Sequence, residues 1–189
     1  MIESTILDAH PGITVGICAT GAPSHMGELL ERVISETDLT PLKLRKVIVV
    51  ASGCAEHVIS ELRQTRERDA RVQLVIEDRR LGKADAINKI QANAEGHLLV
   101  MVNSDASPEP GAISKLLSAI ENDRTVGAVS AVPVTKTRGN MTSLLVDFMW
   151  SAHNDCSLAL NHMNVSNHSC DELVVFRVSA LSPLPQDLV

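Results

Sequence analysis

Four short apolar runs along the first hundred residues, each followed by a longer stretch with helical spacing, constrain this chain more than any other feature. "ITVGIC" (13–18) and "KVIVVA" (46–51) are apolar and largely β-branched at successive positions, as strands covered on both faces are; "RVQLVIE" (71–77) and "HLLVMVN" (97–103) read as two more strands. Between the first two, Leu29, Leu30, Val33 and Ile34 form one helix face, and Ile87, Ile90 and Ala94 do the same ahead of the fourth. Ile113, Leu116, Leu117 and Ile120 recur at i, i+3, i+4 and i+7, with Pro110 suited to a first helical turn. Strand alternating with helix predicts an α/β fold, a mostly parallel sheet flanked by helices. A chain of 189 residues is one domain's worth.

The pattern changes after Thr125. "VGAVSAVPV" reads as a strand, and 140–152 as a helix with Met141, Leu144, Leu145, Phe148, Met149 and Ala152 on one side. Its polar side carries Asn140, Ser143, Asp147 and Ser151 but no Lys or Arg, so attraction to anionic lipid is missing and packing into the core is expected. A polar loop, "NHMNVSNHSCD", then leads to a last strand, "ELVVFR" (172–177).

Composition excludes several classes. A formal net charge of −6, with no dense basic run and only Phe148, Trp150 and Phe176 as aromatics, argues against nucleic acid. The acidic opening "MIESTILDAH" is unlike a signal peptide, and no apolar stretch is long enough for a membrane span, so a cytoplasmic protein is expected, with association at the inner membrane face left open. Cys18, Cys54, Cys156 and Cys170 show no CxxC spacing and are expected to be free thiols. His153, Cys156, His162, His168 and Cys170 cluster in sequence, but their spacings match no zinc pattern, and a polar loop over 153–170 with incidental histidines is the expectation.

Ligands of open parallel sheets bind beyond the carboxyl ends of the strands. Here those ends carry "CATGAP", "ASGC", "EDRRLGKADAIN" and "NSDASPEP". Gly82 closes a strand-to-helix connection and Lys83 opens the helix, placing a cation beside free backbone N–H groups, which suits phosphate. Asp105 follows a strand, and a magnesium or manganese ion bound with a nucleotide needs only one or two protein carboxylates.

In order and spacing, "ITVGICATGAPSHMGELLERV", "VIVVASGCAE", "RRLGKADAINKIQANAEG" and "LLVMVNSDASPEPGAISKLLSAI" resemble glycosyltransferase family 2, most specifically in the last two segments. The resemblance implies a Rossmann-like sheet of the GT-A type, with 12–105 as a nucleotide-sugar-binding half and 106–189 as the start of an acceptor half. It implies a metal-assisted transfer of sugar from a nucleoside diphosphate sugar to an acceptor hydroxyl. Cys18, Thr20, Ala51, Ser52, Lys83, Asn103, Ser104 and Asp105 would line the nucleotide sugar, and Asp105 would hold Mg or Mn. Gly21 and Ala22 stand where the family has Asn and Glu, Ala51 where it has a carboxylate, and Asn103 at the first position of its DxD motif. The family's general base belongs to its acceptor half, where Asp187 is this tail's only acid; the base itself is expected beyond Val189. An inactive nucleotide-sugar-binding module is the alternative from another class. A nucleotidyltransferase would want a glycine-rich loop where "CATGAPSHMG" has scattered glycines. The sugar, the acceptor and any homo-oligomer stay open.

Overall fold

The computed structural model describes residues 11–134, 139–163 and 172–185. The chain runs β1 (Ile13–Gly21), α1 (Met26–Asp38), β2 (Leu44–Cys54), α2 (Glu56–Arg68), β3 (Val72–Glu77), α3 (Lys83–Ala92), β4 (Leu98–Asn103), α4 (Ala112–Asn122), β5 (Ala128–Ser130), α5 (Met141–His162) and β6 (Leu173–Arg177), followed by a 3-10 turn, Val178–Ala180. One six-stranded sheet has the order β3-β2-β1-β4-β6-β5. The pairings among β1 to β4 are parallel, and β6 runs antiparallel to both β4 and β5.

Strand side chains alternate between faces, and each face has its own cover. Ile13, Val15, Ile17, Val47, Val49, Val100 and Val102 belong to the larger core, shared with α1, α2 and α4. Ile48, Val50, Leu99, Met101 and Val174 meet Ala86 and Ile90 of α3 on the other face. Gly16 sits under α3, where an added Cβ would lie 2.5 Å from the Ile90 side chain, so this position must be bare for α3 to approach.

Several boundaries differ from the sequence pattern. β1 and β2 run on past Cys18 and Ala51, and α3 stops before Ala94. α4 begins at Ala112 with Gly111 at its N-cap, so Pro110 precedes the helix. The strand expected over 126–134 shrinks to Ala128–Ser130, a short edge paired only with β6. α2 fills the gap between β2 and β3 and buries Val58, Ile59, Leu62 and Thr65.

The largest correction concerns α5. It extends to His162, so His153, Cys156 and His162 are helical rather than on a loop, while His168 and Cys170 lie outside the described residues. None of its residues is buried: Met141, Leu145, Phe148 and Met149 are all exposed, so the expected core packing does not occur. Its polar residues account for this, since Ser143, Asp147 and Asn154 take the half-buried side, and Asn154 Nδ2 donates to the Pro133 carbonyl at 3.0 Å.

Candidate functional site

The strand order reverses direction at β1, whose neighbours are β2 on one side and β4 on the other, and this is where open α/β sheets form a crevice at their carboxyl edge. Cys18 is in register with Asn103 there, and Thr20 with Ser52. By alternation Cys18, Thr20, Ser52 and Asn103 all take the α3 face of the sheet, the face toward which Lys83 opens its helix. Ala51 takes the opposite face and is wholly buried in the larger core.

Lys83 Nζ donates to Asn103 Oδ1 at 3.0 Å, joining the start of α3 to the end of β4. Asn103 Nδ2 donates to Glu172 Oε2 at 3.4 Å, and its backbone N–H donates to the Glu172 carbonyl at 3.0 Å. Asn103 is thus held between an ammonium and a carboxylate. Glu172 enters this group only through the antiparallel pairing of β6 with β4; a lone acid 69 residues away along the chain gives no local signal. Ser104 is half-buried and Asp105 exposed in the turn that follows β4.

The loop before α3 is tied down from beneath. Ser52 Oγ donates to Glu77 Oε2 at 2.5 Å and accepts the Leu81 N–H at 3.3 Å, so this buried hydroxyl pins the connection that delivers Lys83. Glu77 and Asp85 both pair with Lys89, which raises the Lys89 pKa, Asp85 contributing most. Gly82 makes the last turn at φ 102 and ψ 158, a conformation essentially reserved for glycine, and as the N-cap of α3 it offers no capping side chain. Burial pushes the Cys18 thiol up to about 11, with Lys83 pulling against it and Glu77 reinforcing it, so at neutral pH it is a protonated wall of the site rather than a nucleophile.

The Asp105 loop is held from the other side of the sheet. Arg32 on α1 donates to the Pro108 carbonyl at 3.2 Å and to Ser107 Oγ at 3.4 Å. Glu36 on the same helix accepts the N–H groups of Ile113 at 2.8 Å and Ser114 at 3.3 Å, capping α4.

Among the described residues no group of three or more His, Cys, Asp or Glu side chains gathers as a metal site, and no helix is long and apolar enough to cross a membrane. Cys18, Cys54 and Cys156 are free thiols. Asp187 lies outside the described residues. Leu184 is tied to α3: Asn88 donates to its carbonyl at 2.8 Å and accepts its N–H at 2.7 Å.

The sequence profile of Glycosyl transferase family 2 matches residues 14–181. No curated protein matches the chain. Among solved structures, a mannosyltransferase from Pyrobaculum calidifontis in complex with GDP-Man and Mn2+ is 25% identical with a TM-score of 0.64, over 94% of this chain and 48% of that one. Glucosyl-3-phosphoglycerate synthase from Mycobacterium tuberculosis, in complex with UDP, is similar in fold at 17% identity and a TM-score of 0.57, over 92% of this chain and 59% of that one. Mannosyl-3-phosphoglycerate synthase from Rubrobacter xylanophilus is similar in fold at 11% identity and a TM-score of 0.59, over 89% and 54%. The chain thus spans about half the length of the structures it matches. With the family profile covering most of its length and the mostly parallel sheet in place, the chain belongs to glycosyl transferase family 2.

Proposed function

We propose that this chain is the donor-binding part of an enzyme that transfers a sugar from a nucleoside diphosphate sugar to an acceptor hydroxyl. The observation that carries the reading is the Lys83–Asn103 bond at the carboxyl edge of β1 and β4, with Asp105 exposed in the turn that follows β4. Lys83 and the first turn of α3, which follows the Gly82 N-cap, supply the positive potential a diphosphate needs. Thr20 and Cys18 line the neighbouring strand end for the nucleoside, and Ser52 holds the loop that brings Lys83 to it.

The donor set fits a hard divalent cation such as Mg or Mn. Asp105 is exposed in the turn after β4, and Glu172, bonded to Asn103, brings a second carboxylate to the same strand end. Asn103 itself is engaged through Oδ1 by Lys83, so Asp105 with Glu172 would hold the metal. Such an ion, when bound, offsets the charge that grows on a departing diphosphate. On the protein's side, Lys83 balances the same charge, and the Ser52–Glu77 tie keeps the loop from shifting as it does so. An acceptor hydroxyl attacking the anomeric carbon must lose its proton to a base. Asp187 is the acid of this sequence that we assign to that test.

The reading is tested by calorimetry and thermal melting with GDP, UDP and their sugar conjugates, each with and without Mn2+. Ligand at a hundred times its dissociation constant should stabilise the protein by about 2.7 kcal/mol. Asp105→Ala should abolish the part that depends on the metal. An unchanged metal response in Asp105→Ala would sink the assignment. Loss of transfer in Asp187→Asn with donor affinity intact would identify the base, and unchanged transfer would remove it.

A further inference from the structure

α5 is amphipathic with its polarity turned outward. Positions 141, 145, 148, 152, 156, 159 and 163 fall within an arc of roughly 80° around the helix axis, and all seven are exposed. The residues there are Met, Leu, Phe, Ala, Cys, Ala and Met. The half-buried residues, Ser143, Asp147, Asn154 and Ser157 among them, lie on the opposite side. A surface helix of a globular domain does the reverse.

We propose that this stripe is a homodimer interface, with α5 packed antiparallel against α5 of a second copy about a two-fold axis passing through Ala152. A two-fold interface must be self-complementary, and the spacing of this stripe is symmetric about Ala152. The axis places Phe148 opposite Cys156, Leu145 opposite Ala159 and Met141 opposite Met163, so large side chains meet small ones near the centre and flexible methionines close both ends. Ala152, meeting itself on the axis, lets the two helices approach closely.

Charge agrees with this partner. The stripe holds no Asp, Glu, Lys or Arg. Asp155, at its margin, is opposite Met149 rather than its own copy, which leaves the two carboxylates about 9 Å apart along the axis. A lipid surface fits less well, since 141–163 carries two aspartates and no Lys or Arg. The area is also sufficient. Met141, Leu144, Leu145, Phe148, Met149 and Met163 are 52 to 82% exposed. At roughly 100 Å² each, with the small stripe residues added, they approach the ~800 Å² per partner of a stable interface.

Sedimentation of the full chain in the micromolar range should give twice the chain mass. Phe148→Asp should weaken association at least about tenfold, as loss of a central aromatic does, with the melting profile retained because Phe148 is 70% exposed. Register is read separately: in a Cys156→Ser background, Ala152→Cys should oxidise to a covalent dimer, while Asn161→Cys, off the stripe, should not. A monomeric wild type overturns the proposal, as does a dimer indifferent to Phe148→Asp or cross-linking at 161 as readily as at 152. A monomer that co-sediments with phosphatidylcholine vesicles also overturns it and assigns the stripe to lipid.

Discussion

Helices α3 and α4 both begin after a strand that ends at the ligand edge, both have a glycine at the N-cap, and neither glycine can supply a side-chain cap. They resolve the same problem in opposite ways. The first turn of α4 is served from within, by a buried carboxylate 77 residues earlier in the chain, Glu36 on α1, which accepts two of its N–H groups. The N-cap of α3, Gly82, supplies no side chain either, and the helix opens with an exposed lysine bonded to Asn103. A helix N-terminus is a positive end with unpaired donors. Where the fold supplies its own anion, that end becomes a structural joint. We propose that the start of α3, beside Lys83, takes an anion from outside. On this reading α4 anchors the Asp105 loop, and α3 is the end proposed to meet the ligand.

The sharpest way to break the contrast is to remove the internal anion. Glu36→Ala leaves the Ile113 and Ser114 N–H groups without their acceptor, one of them fully buried on the pairing, and hydrogen bonds to a charged group contribute about 1.5–3 kcal/mol each before relaxation. We expect an overall loss of about 2–3 kcal/mol, a fall in Tm of very roughly 5–10 °C for a chain of this size, measured by urea and thermal unfolding. Glu36→Gln keeps one oxygen acceptor and should lose about half as much. A variant as stable as the wild type would show that α4 needs no cap, and the contrast with α3 would then rest on exposure alone.

A smaller stability effect with a larger functional one is expected at Gly82. Its φ of 102 with ψ of 158 is open to glycine and strained for any other residue, so Gly82→Ala costs about 1–3 kcal/mol if the loop keeps its path. Relaxing that strain would move Lys83 away from Asn103. The two outcomes separate in paired measurements: a fall in stability with donor affinity kept means the loop held, and a stable protein with weakened affinity means it moved. No change in either would show that the turn is not what places Lys83.

Much of the sheet is legible in the sequence because β1 to β4 are covered on both faces, and double burial demands the unbroken apolar runs at 13–18, 46–51, 71–77 and 97–103. α2 announces itself least: Val58, Ile59, Leu62 and Thr65 are its whole buried set, among six charged residues of thirteen. α5 was misleading for a physical reason. An apolar stripe predicts burial, but the pattern alone does not say against what, and here it is turned away from the chain's own core. At the site, Lys83 and Asp105 are marked by their place after strands. Ser52, Glu36, Arg32 and Glu172 are not, since each acts on a partner 25 or more residues away, and only the folded pairing reveals whether a hydroxyl faces a ligand or pins a loop.

The smallest expected change in stability, and the most direct reading of the start of α3, comes from Lys83→Met. The side chain is exposed, and substitutions at exposed positions usually stay within about 0.5 kcal/mol. Methionine preserves the length and helix preference of the residue while removing only the charge. Unfolding should therefore be almost unchanged, in contrast to Glu36→Ala. Affinity for a nucleoside diphosphate should fall about tenfold, the size of one charge-assisted hydrogen bond to phosphate. Because an exposed charge acts through solvent, that penalty should shrink as ionic strength rises and the screening length drops below about 10 Å. Lys83→Arg should keep most of the affinity if charge is what counts, and lose it if the compact ammonium bound to Asn103 is needed. Equal dissociation constants for wild type and Lys83→Met at low salt would mean that the end of α3 does not serve the donor, and that the resemblance between this helix start and a phosphate cradle is only local geometry.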